Sequence, residues 1–106
     1  MKIAVIGGAG VRTVIFINGL LKRYKKLHID AVVLYDIQEE KQRIIEKLCK
    51  HVVERNHEEL KVWAVSDPVE AITGADYIVT CNIRDFSSSV VPAVTPKELL
   101  QIILKR

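Results

Sequence analysis

Lys2-Ile3-Ala4-Val5-Ile6, closed by Gly7-Gly8-Ala9-Gly10, is the stretch on which the reading of this chain turns. An apolar run this short, bounded by glycines, favours a buried strand over a helix. From Val11 to Lys25 no strand punctuation occurs. Ile17, Leu20, Leu21 and Tyr24 recur there at helical spacing, ahead of a basic end at Lys22, Arg23, Lys25 and Lys26 that suits a helix C-terminus. Strand, glycine turn and helix form the opening unit. Val14-Ile15-Phe16-Ile17 gives that helix more apolar surface than one sheet can cover, so Ile15 or a neighbour either meets a partner or stands as an ordinary exposed apolar residue.

Working outward, Ala31-Val32-Val33-Leu34-Tyr35 is a continuous apolar strand ended by Asp36, and its lack of polar alternation suits burial on both faces of a parallel sheet. Gln38 to Arg55 is a helix whose apolar stripe runs through Ile44, Ile45, Leu48, Cys49, Val52 and Val53. Glu39 with Arg43 and Glu46 with Lys50 are spaced for i,i+4 pairs. Leu60, Val62 and Ala64 alternate with Lys61 and Trp63, as in a less buried strand near a sheet edge. Asp67-Pro68-Val69-Glu70 starts a short helix, with Asp67 as cap, Pro68 at the first helical position, Glu70 as reciprocal cap, and Gly74 as the stop. Tyr77 to Cys81 is a fourth strand, Ser87-Ser88-Ser89 opens a loop, and Thr95-Pro96-Lys97-Glu98 begins a last helix through Leu104. The strands and helices alternate throughout. That pattern predicts a partial Rossmann-like α/β domain spanning residues 1–106, with about four parallel strands in the order 3-2-1-4 and helices on both faces.

Bulk properties bound the function. A chain of 106 residues, 49% apolar and 27% charged, has the size and balance of one globular domain. No apolar run reaches the ~18–20 residues of a membrane span or resembles a signal peptide, so the expectation is a cytoplasmic protein with no membrane partner. Net charge is only +3 with interspersed signs, and Lys22 to Lys26 reads as a solvated basic helix end, so no nucleic-acid partner is expected. Cys49 and Cys81 are far apart and read as reduced and buried. His28, His51 and His57 share no helical face with a carboxylate or with Cys49, so no metal ligands are assigned. No Ser, His and Asp arrangement marks a nucleophilic site, and no catalytic residue is assigned.

In a sheet of this order a ligand lies beyond the carboxyl ends of the strands, where the order reverses between strands one and four. Gly7, Gly8 and Gly10 fall there, where absent side chains let backbone N–H groups and the helix N-terminus approach a pyrophosphate. The spacing Gly8-x-Gly10-x-x-Thr13 departs from the dinucleotide fingerprint only in its last member. Asp36 supplies the acid at the end of strand two, 28 positions beyond Gly8, where a carboxylate binds ribose hydroxyls and repels a 2′-phosphate. Ile37 and Gln38 bring no positive charge, so NAD is favoured over NADP. Arg12 reaches either a phosphate or solvent; Asn82 and Arg84 face the same cleft, where Asn82 binds a hydroxyl or satisfies loop backbone. A ligand-free tight turn at the glycines and a helix cap at Asp36 are the alternatives.

Residues 1–84 carry a wider likeness, in Lys2-Ile3-Ala4-Val5-Ile6-Gly7-Gly8, Thr13, Gly19-Leu20-Leu21-Lys22-Arg23-Tyr24, Val33-Leu34-Tyr35-Asp36-Ile37, Ser66-Asp67-Pro68, Gly74-Ala75-Asp76-Tyr77-Ile78-Val79-Thr80 and Ile83-Arg84. On these the chain resembles the N-terminal segment of glycoside hydrolase family 4, the NAD- and manganese-dependent 6-phospho-glycosidases and α-glycosidases. The resemblance implies that the glycine loop and strand-two acid hold NAD. It also implies a chemistry in which the sugar is oxidised at C3, the C2 proton is removed, the aglycone is eliminated and reduction follows. The family's manganese-binding Cys and His and its catalytic Tyr lie beyond a stretch of this length, so the chain is expected to be catalytically incomplete by itself and to meet a sugar phosphate through a further domain. Asp85-Phe86 replaces the family's Gly-Gly after the Ile-Arg pair, Phe86 to Pro92 lacks its substrate-contacting arginine, and Thr13-Val14-Ile15 stands where Thr-Pro-Glu is common. A dimerising dinucleotide-sensing module is the alternative function, and a homodimer is expected in either case.

Overall fold

The computed structural model describes residues 1–7 and 10–79 and the backbone of 93–94. β1 (Lys2–Ile6), α1 (Val11–Leu20), β2 (Ala31–Tyr35), α2 (Glu39–Arg55), β3 (Lys61–Ala64), α3 (Pro68–Ile72), β4 (Tyr77–Val79) and β5 (Ala93–Val94) follow in chain order. All neighbouring strands pair in parallel, in the order β3-β2-β1-β4-β5. The expected 3-2-1-4 core is present, and β5 extends it beyond β4. Two residues between a serine-rich stretch and Pro96 are too few to leave a periodic signal, which is why β5 was not legible. The loop at Ser87–Ser89 and the helix expected through Leu104 lie outside the described residues.

Register explains why the strands read as unbroken apolar runs. Ile3, Val5, Val32, Leu34, Val62 and Val79 share one face with Ile17, Leu20, Tyr24, Ile45, Cys49 and Val53 from the α1 and α2 layer. Ala4 pairs with Val33 and Ile78, and these three side chains are buried on the opposite face. The β3-to-β4 connection steps back across the sheet, so a right-handed crossover puts α3 on that second face. β3 lies at the sheet edge with Lys61 exposed and Val62 buried, as its alternation predicted. Cys49 is buried as expected, and burial pushes its thiol up to about 11.

The first helix is shorter than the expected Val11 to Lys25. After Leu20 the chain winds on in mixed turns: Arg23 N–H reaches Leu20 O at 2.9 Å, and Ile29 N–H reaches Tyr24 O at 2.9 Å. Gly19 and the β-branched residues before it weaken the last α-turn. Leu21 and Tyr24 are nevertheless buried, because the turns keep nearly helical spacing. His28, with φ of 57°, closes this segment, and His57, with φ of 55°, closes α2. At α2 the His57 N–H donates to Glu54 O at 3.0 Å and the Glu58 N–H to Val53 O at 3.1 Å. These are the two bonds of a Schellman cap, with histidine at the left-handed position usually given to glycine.

Candidate dinucleotide site

Parallel register brings the carboxyl ends of β1, β2 and β4 to one edge, since Ile6 pairs with Tyr35 and Val5 with Val79. The two motifs separated by 28 positions meet there. Gly7 donates its N–H to Tyr35 O at 2.8 Å, setting the start of the glycine turn directly beside Asp36. Gly7 has φ of +82°, a conformation that disfavours any side chain, whereas a Cβ on it would meet nothing within 4 Å. The backbone, not crowding, therefore requires glycine here.

Gly10 differs. It is the N-cap of α1 at φ −90°, ψ 156°, and an added Cβ would come only to 4.0 Å of the nearest backbone atom. The described residues give no reason of their own for its missing side chain. Its carbonyl accepts the Thr13 N–H at 3.0 Å, starting the helix. Thr13 is 5% exposed and faces the sheet, the position at which the fingerprint's last small residue sets helix-to-strand packing. Arg12 is exposed on the first turn, which carries no acidic side chain to neutralise the positive end of the helix. Gly8, Asn82 and Arg84 lie outside the described residues.

Asp36 is half-buried, and its Oδ1 accepts the Gln38 N–H at 2.9 Å. The alternative of a cap for α2 is thereby corrected: Gln38 occupies the N-cap position, and Asp36 makes a tight side-chain turn two residues before the helix. That bond orients the carboxylate at the strand end. A cleft of about 110 Å³ opens beside it, lined among others by Asp36, Glu39, Arg43, Glu46 and Ser66. Glu46 Oε2 accepts the Ala64 N–H at 2.7 Å and pairs with Lys50 at 3.5 Å, so it also ties α2 to β3. The spacing of Glu46 and Lys50 was legible as an i,i+4 pair, but its place beside Asp36 was not. Ser66 was within reach of the sequence, because it follows β3 as Asp36 follows β2. Of the other local expectations, Asp67 does cap α3, its Oδ1 accepting the Val69 N–H at 2.9 Å, while no bond from Glu70 back to Asp67 is present among the described residues. The Glu39 and Arg43 spacing likewise yields no ion pair among them, in contrast to Glu46 and Lys50.

This arrangement suits a nucleotide with a free cis-diol. With Glu46 paired to Lys50, the carboxylates of Asp36 and Glu39 still outnumber the guanidinium of Arg43 in the cleft, so an added phosphate there would be disfavoured. Among the described residues, no group of three or more His, Cys, Asp or Glu is placed to hold a metal ion, and no helix is long and apolar enough to cross a membrane.

Comparison with known proteins agrees with the fold and with the span of the resemblance. The 6-phospho-beta-glucosidase of Thermotoga maritima is 39% identical over 80 residues, covering 74% of this chain and 18% of the enzyme. The Escherichia coli 6-phospho-beta-glucosidase is 29% identical over 82 residues, covering 76% and 18%. Solved structures match in backbone as well. The Thermotoga maritima enzyme with NAD and glucose-6-phosphate superposes with a TM-score of 0.68 at 37% identity, covering 74% of this chain and 19% of that one. A 6-phospho-alpha-glucosidase from gut microorganisms, also with NAD and glucose-6-phosphate, gives 0.69 at 34% identity, covering 74% and 18%. The chain thus spans under a fifth of the length of these relatives. Residues 2–85, most of the chain, match the Family 4 glycosyl hydrolase family, and this chain belongs to that family.

Proposed function

We propose that this chain is the dinucleotide-holding segment of an NAD-dependent 6-phospho-glycosidase, completed by further protein that carries the sugar site. The observation that carries the reading is the junction of the Gly7 turn with Asp36, beside a cleft rich in carboxylates. Gly7, Gly8 and Gly10 would leave backbone N–H groups and the α1 N-terminus open to the pyrophosphate, with Arg12 on a phosphate oxygen and Thr13 spacing the helix from β1. Asp36 would accept the adenosine ribose hydroxyls, and Asn82 and Arg84 would serve the nicotinamide side of the cleft. NAD, when bound, supplies a hydride acceptor for a sugar carbon. The relatives solved with NAD and glucose-6-phosphate support this choice of cofactor and of a phosphorylated sugar. A relative solved with NAD and Mn2+ extends the reading to manganese for the complete enzyme, with ligands outside the described residues. The cytoplasm, where NAD and phosphorylated sugars are held, is the fitting compartment. Exposed apolar side chains on α1 and α2 support a homodimer.

Calorimetric titration tests the reading. NAD is expected to bind with a dissociation constant below ~1 mM, and NADP at least ~10-fold more weakly. Asp36→Ala should weaken NAD by roughly 10-fold or more, the loss of hydrogen bonds to a charged acceptor. Asp36→Asn keeps an acceptor for Gln38 but loses the charge, and should narrow the difference between NAD and NADP. Absence of NAD binding at millimolar concentration overturns the proposal.

A further inference from the structure

β3 is the edge strand, and the residues at its exit form one wall of the cleft beside Asp36. Lys61 and Val65 donate their N–H groups inward, to Asp30 O at 3.3 Å and to Leu34 O at 3.0 Å. Alternation along a parallel strand therefore turns the N–H groups of Val62 and Ala64 outward, away from β2. Among the described residues no side chain meets the one at Val62, whereas Glu46 reaches across from α2 to accept the one at Ala64 at 2.7 Å. An N–H at an open edge can bond to water, so the pairing of β3 does not by itself call for a carboxylate at Ala64. The Glu46 side chain is 21% exposed, and the more exposed Lys50 pairs with it at 3.5 Å. Val65 thus fastens the cleft wall to β2, and Glu46 fastens it to α2.

We propose that Glu46 is a positioning residue for dinucleotide binding: by gripping the Ala64 N–H it fixes the β3 exit relative to Asp36, and with it the width of the cleft that takes the adenosine half of NAD. The inference rests on the cofactor reading above. The two walls are set in different ways. Asp36 is oriented locally, by the Gln38 N–H two residues on, at 2.9 Å. Ala64, Val65 and Ser66 are oriented by a contact between segments 18 positions apart, from α2 to β3. A binding site keeps its affinity only while such walls stay within roughly 0.5 Å of the productive geometry, and in a cleft of about 110 Å³ a displaced wall leaves little tolerance. Glu46 acts here through Ala64, because the oxygen that faces the wall is already committed to that N–H. What the role requires is an oxygen acceptor of this reach; the negative charge strengthens the bond and is secondary to its geometry.

Calorimetric titration of AMP and of NAD into the full chain separates this role from a purely structural one. Glu46→Ala should weaken both ligands roughly 10-fold or more and by the same factor, because the displaced wall meets the adenosine that they share. Glu46→Gln keeps an oxygen for the Ala64 N–H and should stay within about 2-fold of wild type, as should Lys50→Ala, which removes only a surface pair. Tyr24→Phe is the control for stability, since it removes the acceptor of the Glu59 N–H at the opposite end of β3. It should lower the urea midpoint as Glu46→Ala does, yet leave both affinities unchanged. A measurement on the wild type needs no variant to fold: AMP should shift the amide resonances of Ala64, Val65 and Ser66. AMP affinity kept within about 2-fold in Glu46→Ala, an equal loss in Glu46→Gln or in Tyr24→Phe, or amide resonances that AMP leaves in place, each overturns the positioning role while the cofactor reading stands. A wild-type chain that binds neither NAD nor AMP overturns the cofactor reading and this inference with it.

Discussion

At the level of single residues, the two described glycines of the turn separate what the chain needs from what a ligand needs. Gly7 sits at positive φ, so Gly7→Ala should cost about 1–2 kcal/mol of stability, read from urea denaturation. Gly10 has ordinary dihedrals and open surroundings. In Gly10→Ala a slightly poorer cap and a less flexible unfolded chain offset one another, so stability should stay within about 0.5 kcal/mol while NAD affinity falls. A stability loss at Gly10 as large as at Gly7 would make both glycines structural. His57 provides a converse case. Nothing in the sequence marks it as a helix stop, because the left-handed position past α2 usually holds glycine. His57→Gly should stabilise the fold by about 0.5–1 kcal/mol, seen as a higher denaturation midpoint.

Among the elements, legibility followed burial. α2 is legible to within one residue because Ile45, Cys49 and Val53 are buried at helical spacing; Ile44 and Leu48 of the expected stripe are exposed, and the buried Gln42 carries no apolar signal. α1 was read too long because burial of Leu21 and Tyr24 survives in a segment wound by mixed turns, and periodicity cannot tell that winding from an α-helix. What fastens this segment is a long-range contact. Tyr24 Oη donates to Glu58 Oε2 at 2.7 Å and accepts the Glu59 N–H at 3.0 Å, joining the turns after α1 to the cap of α2. Tyr24→Phe keeps the buried ring but leaves the Glu59 N–H without that partner, and should cost about 1–2 kcal/mol in equilibrium unfolding. Ile17, fully buried between α1 and the sheet, should cost about 3 kcal/mol as Ile17→Ala, through lost apolar burial and the cavity left behind.

For the whole molecule, the buried thiol of Cys49 ties stability to alkaline pH. Folding raises its pKa from 9.0 to about 11, so the folded chain holds a proton that the unfolded chain releases in that interval. This contribution is complete below pH 9 and is lost as pH rises toward 11. Stability of the wild type should therefore fall more between pH 8.5 and 10.5 than that of Cys49→Ala, compared by urea midpoints; equal slopes would remove Cys49 as the cause. By itself the sequence determined the alternation of elements, the parallel order of the core strands and the edge place of β3, because strand burial and helical spacing are local signals that repeat along the chain. It also put Gly7, Gly10 and Asp36 at the same sheet edge, since parallel topology leaves that edge as the one place for residues that follow strands. Only the tertiary structure decided that Gly7 bonds to Tyr35, that Glu39, Arg43 and Glu46 join Asp36 in one cleft, that Tyr24 links two helix ends, and that β5 extends the sheet. Each of these depends on distances between segments remote in the chain, and no spacing along a single element encodes them.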